Sequence, residues 1–334
     1  MRLLPRILVF VCLSACSAFP LAEWSYAAQP YAAQPPAAQP PAAAKHAAQQ
    51  PPPARFFLMG GGSLHLKNLR NNREATVNLL DKDGSFNKEA LAKVDWVFEF
   101  PAAEKGEHIS PRLLFMLSYF VDRLAPGKVV NIESAYRSPE YNQQLREGGN
   151  NVARTSTHQD GIALDFWLPG VGGKQLWKTI KAKNCGGVGH YGGKAVHLDA
   201  GKPRFWEAAT SGTGSKEPDY NRNLYLSTEF DRYRPKEQIR LAFSGLSDFD
   251  FGVHPGIQIF RAGDAATPVT GIRLKHTDED DCLRLGDRKA ARSLTASIPA
   301  FLPPGRYTIK VEFCEKPFEQ MPAEAMSNPI EIVP

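Results

Sequence analysis

The chain has 334 residues, more than one ordinary domain needs and enough for two. Its 40 Lys and Arg against 35 Asp and Glu leave a formal charge of +5 with no basic block, which argues against a nucleic-acid binder of the basic-patch kind. So mild a charge is compatible with attraction to an acidic polymer such as a cell wall and specifies nothing further.

Arg2 and Arg6 lead into an apolar stretch, residues 7–15. Its length suits an export signal and falls short of the roughly 20 residues that span a bilayer. The end of that stretch, Leu13-Ser14-Ala15-Cys16, resembles the bacterial lipobox, which implies a signal of residues 1–16, acylation of Cys16 and an N-terminal membrane anchor. Ser17 after it resembles the pattern for sorting to the outer membrane in enteric bacteria. The other reading is an ordinary signal cleaved after Ala22 or Ala28; both readings place the protein in the cell envelope, in the periplasm. Residues 17–54 carry repeated Ala-Ala-Gln-Pro units and end in Pro51-Pro52-Pro53. With nothing large to bury, they read as an extended, semi-rigid tether.

Folded sequence is expected from Arg55. Phe56 to Met59, a turn at Gly60 to Gly62 and Leu64 to Leu66 suggest a hairpin. A helix is expected over residues 87–98. A better-marked one begins where Ser110 can cap and Pro111 suits the first position, with Leu113, Leu117, Phe120 and Leu124 at helical spacing before the stop at Pro126-Gly127. A strand over 128–135, a helix over 139–147, a strand over 162–167, a helix over 175–183 and two short strands joined by Gly192-Gly193 complete the set. Together they predict an α+β domain, residues 55–209, on an antiparallel sheet.

Residues 210–223 read as a linker and 224–334 as an all-β domain. Alternation at Ile239, Leu241, Phe243, at Ile257, Ile259, and at Tyr307, Ile309, Val311, Phe313, with the turn Pro303-Pro304-Gly305, fits an immunoglobulin-like sandwich. The acidic run Asp278 to Asp281 reads as a solvated loop in preference to a calcium site. Three cysteines lie outside the signal. Cys282 and Cys314 share the second domain and suit a disulfide in an oxidising compartment, leaving Cys185 as an odd thiol; three unpaired cysteines is the other reading. No CxxC pair exists to suggest a cysteine zinc site.

Of eight histidines, His158, His190 and His197 fall within about forty residues, alongside Asp165 and Asp199. His158 sits in a polar loop that runs into the apolar segment Ile162 to Trp167, where Asp165 would be costly unless paired or metal-bound. Gly161 permits the turn that folds the loop back on the strand. His197 interrupts a second apolar strand between Val196 and Leu198. Two histidines and one carboxylate leave a fourth position for solvent, the open arrangement of a catalytic zinc.

Ser156-x-His158-x-x-Gly161-x-Ala163-x-Asp165 resembles the SxHxxGxAxD signature of the zinc D-Ala-D-Ala peptidases, within the lysostaphin and hedgehog-type metallopeptidase group. Residues 134–142, 186–189 and 197–206 are similar to the YcbK-like branch, whose members are murein endopeptidases. The resemblance spans about residues 55–206 and implies Zn2+ on His158, Asp165 and His197, with peptidoglycan stem peptides as substrate. It implies that Arg137 and Ser156 face the substrate, Arg137 through a bidentate grip on a carboxylate; a salt bridge that fixes its own loop is the other role for Arg137. Many relatives carry an acid three residues before the last ligand, where this chain has Lys194. Asp199 and His190 are therefore the catalytic candidates. Asp199 either activates the zinc water or orients His197, and His190 either moves a proton or replaces an aromatic.

Two other functions stay open at this stage. One is a carboxypeptidase trimming a stem peptide. The other is a non-catalytic peptidoglycan-binding lipoprotein that keeps the fold as a scaffold. No partner for the second domain is legible.

Overall fold

A computed structural model describes residues 54–150, 152–211, 219–264, 266–275 and 281–334. The signal, Cys16, the tether up to residue 53, most of the Gly/Ser-rich linker and Asp278 to Asp280 lie outside the described residues. Among the described residues no helix is long and apolar enough to cross a membrane. Residues 50–334 form one compact unit.

The first half is built on seven strands: β1 (Ser63–Asn68), β2 (Glu74–Asn78), β3 (Val129–Ser134), β4 (Ala163–Trp167), β5 (Gly187–His190), β6 (Val196–Asp199) and β7 (Arg204–Glu207), in the order β2-β1-β3-β4-β6-β5-β7. Five helices accompany them: α1 (Lys88–Phe98), α2 (Ala102–Lys105), α3 (Pro111–Leu124), α4 (Pro139–Glu147) and α5 (Gly173–Lys181). Capping follows chemistry legible in the sequence. Asn87, Ser110 and Ser138 each accept a backbone N–H with the side chain, and Pro111 and Pro139 occupy first-turn positions where no N–H is needed.

The sheet corrects two expectations. It is mixed: β1 runs parallel to β3 and β5 parallel to β7, while the other four pairs are antiparallel. A parallel pair needs a crossover, and helices α1 to α3 supply it between β2 and β3. The first hairpin lies later than expected, joining β1 to β2, and Phe56 to Met59 form no strand. Gly60 is not there to turn the chain: a Cβ on it would sit 2.4 Å from the Ser118 backbone, so it lets this segment press against α3.

Among its described residues the second half has eleven strands and one short helix, α6 (Arg288–Ala291). β8 (Tyr225–Thr228), β10 (Gln238–Ser244) and β15 (Leu294–Ser297) form one sheet; β11 (Phe251–Val253), β12 (Gly256–Arg261), β13 (Pro268–Arg273), β14 (Leu283–Leu285) and β16 (Gly305–Glu315) form the body of another, and β9 (Arg232–Tyr233), β17 (Glu324–Met326) and β18 (Ile330–Ile332) join it. Both sheets send alternate side chains into one apolar cluster, Leu241 and Phe243 from the first, Ile259, Ile309 and Val311 from the second. A disulfide joins Cys282 and Cys314, and Gly252 on β11 passes beneath it where a Cβ would meet either sulfur.

The halves have separate apolar clusters but a continuous seam. Phe230 packs against both clusters and lies 5.8 Å and 5.7 Å, ring to ring, from Phe56 and Phe86. Charges cross as well. Arg112 pairs with Asp231, Glu107 takes Arg240 and Arg292, and the almost fully buried Asp160 takes Arg288 and the Gly245 N–H.

Candidate active site

Strands β4 and β6 pair so that Asp165 stands directly opposite His197, and Gly189 of β5 stands on the other side of His197. With a two-residue period, these three share one face of the sheet. Glycine at 189 is required there: a Cβ would come within 2.4 Å of the Trp206 ring, which lies over Gly189 and packs 5.1 Å from the His197 ring. Gly187 is held to glycine in the same way by Asp199 and Arg204.

His158 arrives from a 3-10 turn, Thr157–Asp160, that ends at Gly161 with φ +66. A side chain at 161 would strike the Phe100 ring, so the turn is pinned by both conformation and space. His158 Nε2 lies 3.2 Å from His197 Nδ1 and 3.3 Å from Asp165 Oδ1; His197 Nδ1 lies 2.9 Å from that same oxygen. These three atoms form the one group of metal-ligand type found among the described residues.

Their other atoms are all held. His158 Nδ1 faces the Ala135 carbonyl at 2.6 Å, which makes Nδ1 the protonated nitrogen and leaves the Nε2 lone pair facing the cluster. His197 Nε2 faces Asp199 Oδ2 at 2.9 Å, which leaves the Nδ1 lone pair facing it. Arg137 donates to Asp165 Oδ2 and to Ser134 Oγ, both at 2.9 Å. Three electron-rich atoms so close repel one another unless a cation lies between them. Around a tetrahedral zinc with bonds of about 2.1 Å, donor atoms stand about 3.4 Å apart, so the donor set and its spacing fit such an ion.

The preferences of His158 and Asp165 agree with ligand roles, while His197 favours a proton that a bound cation would have to displace. Burial pushes the His158 imidazole below its ordinary value and so favours the neutral ligand form, against the pull of Asp165. Burial pushes Asp165 up, but its contacts with the His158 and His197 rings outweigh it and hold the carboxyl well below the usual range. For His197 burial pulls down, and hydrogen bonds to Asp165 and Asp199 raise it further than burial lowers it.

The cluster opens into a cavity of about 330 Å3 lined also by Arg137, Ser156, Tyr191, Arg204 and Trp206. Asp199 is not on that wall. It is fully buried and accepts from His197, Gly187 N–H, Gly201 N–H, Thr157 and Arg204. Burial raises its carboxyl, yet Arg204 and His197 outweigh this and hold it far below the usual carboxylate range. His190 is a correction. It pairs with Val196, so alternation sends it to the face opposite His197, where it packs near Trp177 and bonds the Gly193 carbonyl. It cannot reach a solvent molecule at the cluster. Lys194 lies over the Trp167 ring and adds nothing to the cavity.

The residue-by-residue reading missed Tyr191 and gave no role to Arg204 and Trp206. Tyr191 follows His190 in the chain and therefore returns to the face of Gly189 and His197; the Trp206 indole N–H donates to its hydroxyl at 2.8 Å. Burial raises the Tyr191 hydroxyl, which keeps it protonated at neutral pH. Its signal was the alternation of β5 itself, had the register of the Gly192-Gly193 hairpin been known.

A mixed α/β domain presenting a His, an Asp and a His to an open cavity, each ligand fixed from behind, defines a metallopeptidase. Residues 60–206 match the family described as peptidoglycan L,D-endopeptidase MepK, and the chain belongs to that family. It is 33% identical over 144 residues to the peptidoglycan L,D-endopeptidase MepK of Escherichia coli strain K12 and equally to that of Shigella flexneri, covering 43% of this chain and 79% of each relative. The probable peptidoglycan L,D-endopeptidase MepK of Haemophilus influenzae is 28% identical over 125 residues, 36% of this chain and 67% of its own.

Proposed function

We infer that the chain is a zinc-dependent peptidoglycan endopeptidase that cuts an amide within crosslinks between stem peptides. The observation that carries this reading is the convergence of His158 Nε2, Asp165 Oδ1 and His197 Nδ1 within 3.3 Å of one another at the wall of an open cavity.

Zinc held there supplies Lewis acidity, activating water at neutral pH and polarising the scissile carbonyl. The chain's own groups do the rest. The Ala135 carbonyl and Asp199 fix the tautomers and ring planes of the two histidines, the support that ligand histidines ordinarily have. Asp199 is thus an orienting residue and not the base, since hydrogen bonds surround its carboxylate away from the cavity. Arg137 steadies Asp165 and turns a charged edge to the cavity, where it draws in a substrate carbonyl or carboxylate. Ser156 is buried at the cavity wall and helps shape the floor beside His158. Tyr191, with its oxygen already accepting from Trp206, directs its O–H proton into the cavity, placed to stabilise negative charge developing on the carbonyl oxygen.

An L,D bond is the reading favoured by the relatives' names. A second cavity adjoining the first at Thr155 and Arg204 favours an endopeptidase over a carboxypeptidase, whose pocket closes around a chain end. Export with acylation of Cys16 and an immunoglobulin-like second domain belong to the same proposal; two sheets around one core support the latter.

The test is digestion of crosslinked muropeptides by purified protein with and without a chelator. New fragments that vanish on chelation and return with Zn2+ are expected. Muropeptides left uncut by metal-loaded protein, yet still bound by it, would favour the scaffold reading instead.

A further inference from the structure

The cleft does not end at the metal site. A second cavity of about 440 Å3 adjoins the first, the two sharing Ala153, Thr155, Thr157, Arg204 and Ser211. Its far wall comes from the second half of the chain, from Asn223, Tyr225, Ser244 and Gly245. The family match ends at Trp206, so this wall is no part of what the chain shares with its relatives.

The charge of this cavity is one-sided. Among the described residues, Arg146, Arg154, Lys202, Arg204 and Arg222 line it, against the single carboxylate of Asp219. Arg204 is engaged by Asp199, and Arg154 stands 4.0 Å from Asp248. Arg146 and Lys202 pair with no carboxylate among the described residues. Gathering cations in a concavity costs self-repulsion, which a bound anion relieves. Asp219 does not offset them within the cavity: its Oδ2 accepts from Asn223 and its Oδ1 is buried.

We propose that this basic cavity is a subsite for a carboxylate-bearing arm of the peptide whose amide lies at His158, Asp165 and His197, so that the second half of the chain takes part in substrate recognition. The proposal rests on the peptidase reading. Stem peptides present free carboxylates, and guanidinium and ammonium groups supply charge-assisted hydrogen bonds to them.

The experiment uses the full chain and one crosslinked muropeptide in two forms, with its carboxylates free and with them amidated. Binding is measured by calorimetry on chelator-treated protein, so that it reads independently of cleavage. KM is then measured on zinc-loaded protein. The free-acid form should bind about tenfold more tightly than the amidated form, and the preference should shrink between about 50 and 500 mM salt. In the double variant Arg146→Gln, Lys202→Gln the ratio between the two forms should fall towards one, in affinity and in KM. Lys202→Gln alone changes an exposed side chain and should remove part of the preference without touching the fold. Equal affinity of the unaltered protein for both forms, or a preference that survives in the double variant, overturns the proposal. If zinc-loaded protein cleaves neither form, the peptidase reading fails, while the binding preference still decides the role of the cavity.

Discussion

Asp199 and Tyr191 stand on either side of His197 and do different work, which two conservative changes separate. Asp199→Asn removes the charge behind the His197 ring and lets the amide offer a donor where an acceptor is needed. Zinc affinity should fall by about 10- to 100-fold, read by competition with a chelating dye. Tyr191→Phe removes only a hydroxyl at the cavity rim. It should retain zinc and lose about 100-fold in kcat, read on the same muropeptide. A Tyr191→Phe enzyme with unchanged kcat would remove the hydroxyl from the chemistry.

The same two residues show what sequence could and could not disclose. His158, Asp165 and His197 were legible because a carboxylate and a histidine each interrupt an apolar strand, and such interruptions demand a partner. The face on which a strand residue lands depends on register, and a slip of one residue reverses it. That is why the sequence alone suggests His190 beside the site, whereas the fold puts its successor Tyr191 there. The glycines of β5 were legible as a motif, but their reason was not: Trp206 and Arg204 come from fifteen or more residues downstream to fill the space that Gly189 and Gly187 leave.

At the scale of elements, the turn that carries His158 is braced from the other half of the chain. Asp160 closes that turn, is 1% exposed, and is held by Arg288 of α6 and by Gly245 after β10. Arg288→Ala leaves this carboxylate buried without its cation and should cost about 3 kcal/mol of stability, read as a fall in the urea midpoint. Combining it with Asp160→Asn should cost less than the single change, since the amide tolerates burial better than the unpaired charge. Additive losses would mean that the two side chains do not act as a pair. None of this was visible in the sequence, because the partners lie 128 residues apart. Local signals did better: the Ser110 cap and Pro111 start of α3 stand where the sequence puts them, and α1 and α4 fall within a residue of the expected ranges. β7 was missed because Arg204-Phe205-Trp206-Glu207 lies at the sheet edge, half or fully exposed, and carries no alternation.

For the whole molecule, the seam of aromatic rings and ion pairs ties two apolar clusters into one compact unit. The Cys282–Cys314 bond closes a loop with a separation of 32 residues, worth about 4 kcal/mol on loop-entropy grounds. Reduction should therefore lower the melting temperature, and the peptidase half should melt with the β half in one calorimetric transition. Two resolved transitions after reduction would show that the seam does not couple them.

The first described residues lie on that seam. The Arg55 carbonyl accepts the N–H groups of Asp231 and Arg232, Arg232 also reaches the carbonyls of Ala54 and Phe56, and Asp231 takes the Phe57 N–H. Tension arriving along the backbone at residue 54 is thus borne by β9 and its partner β18, which shear as a parallel pair. Strands β4 and β6, which carry Asp165 and His197, pair with neither β9 nor β18, so a pull on residue 54 would meet other hydrogen bonds before theirs.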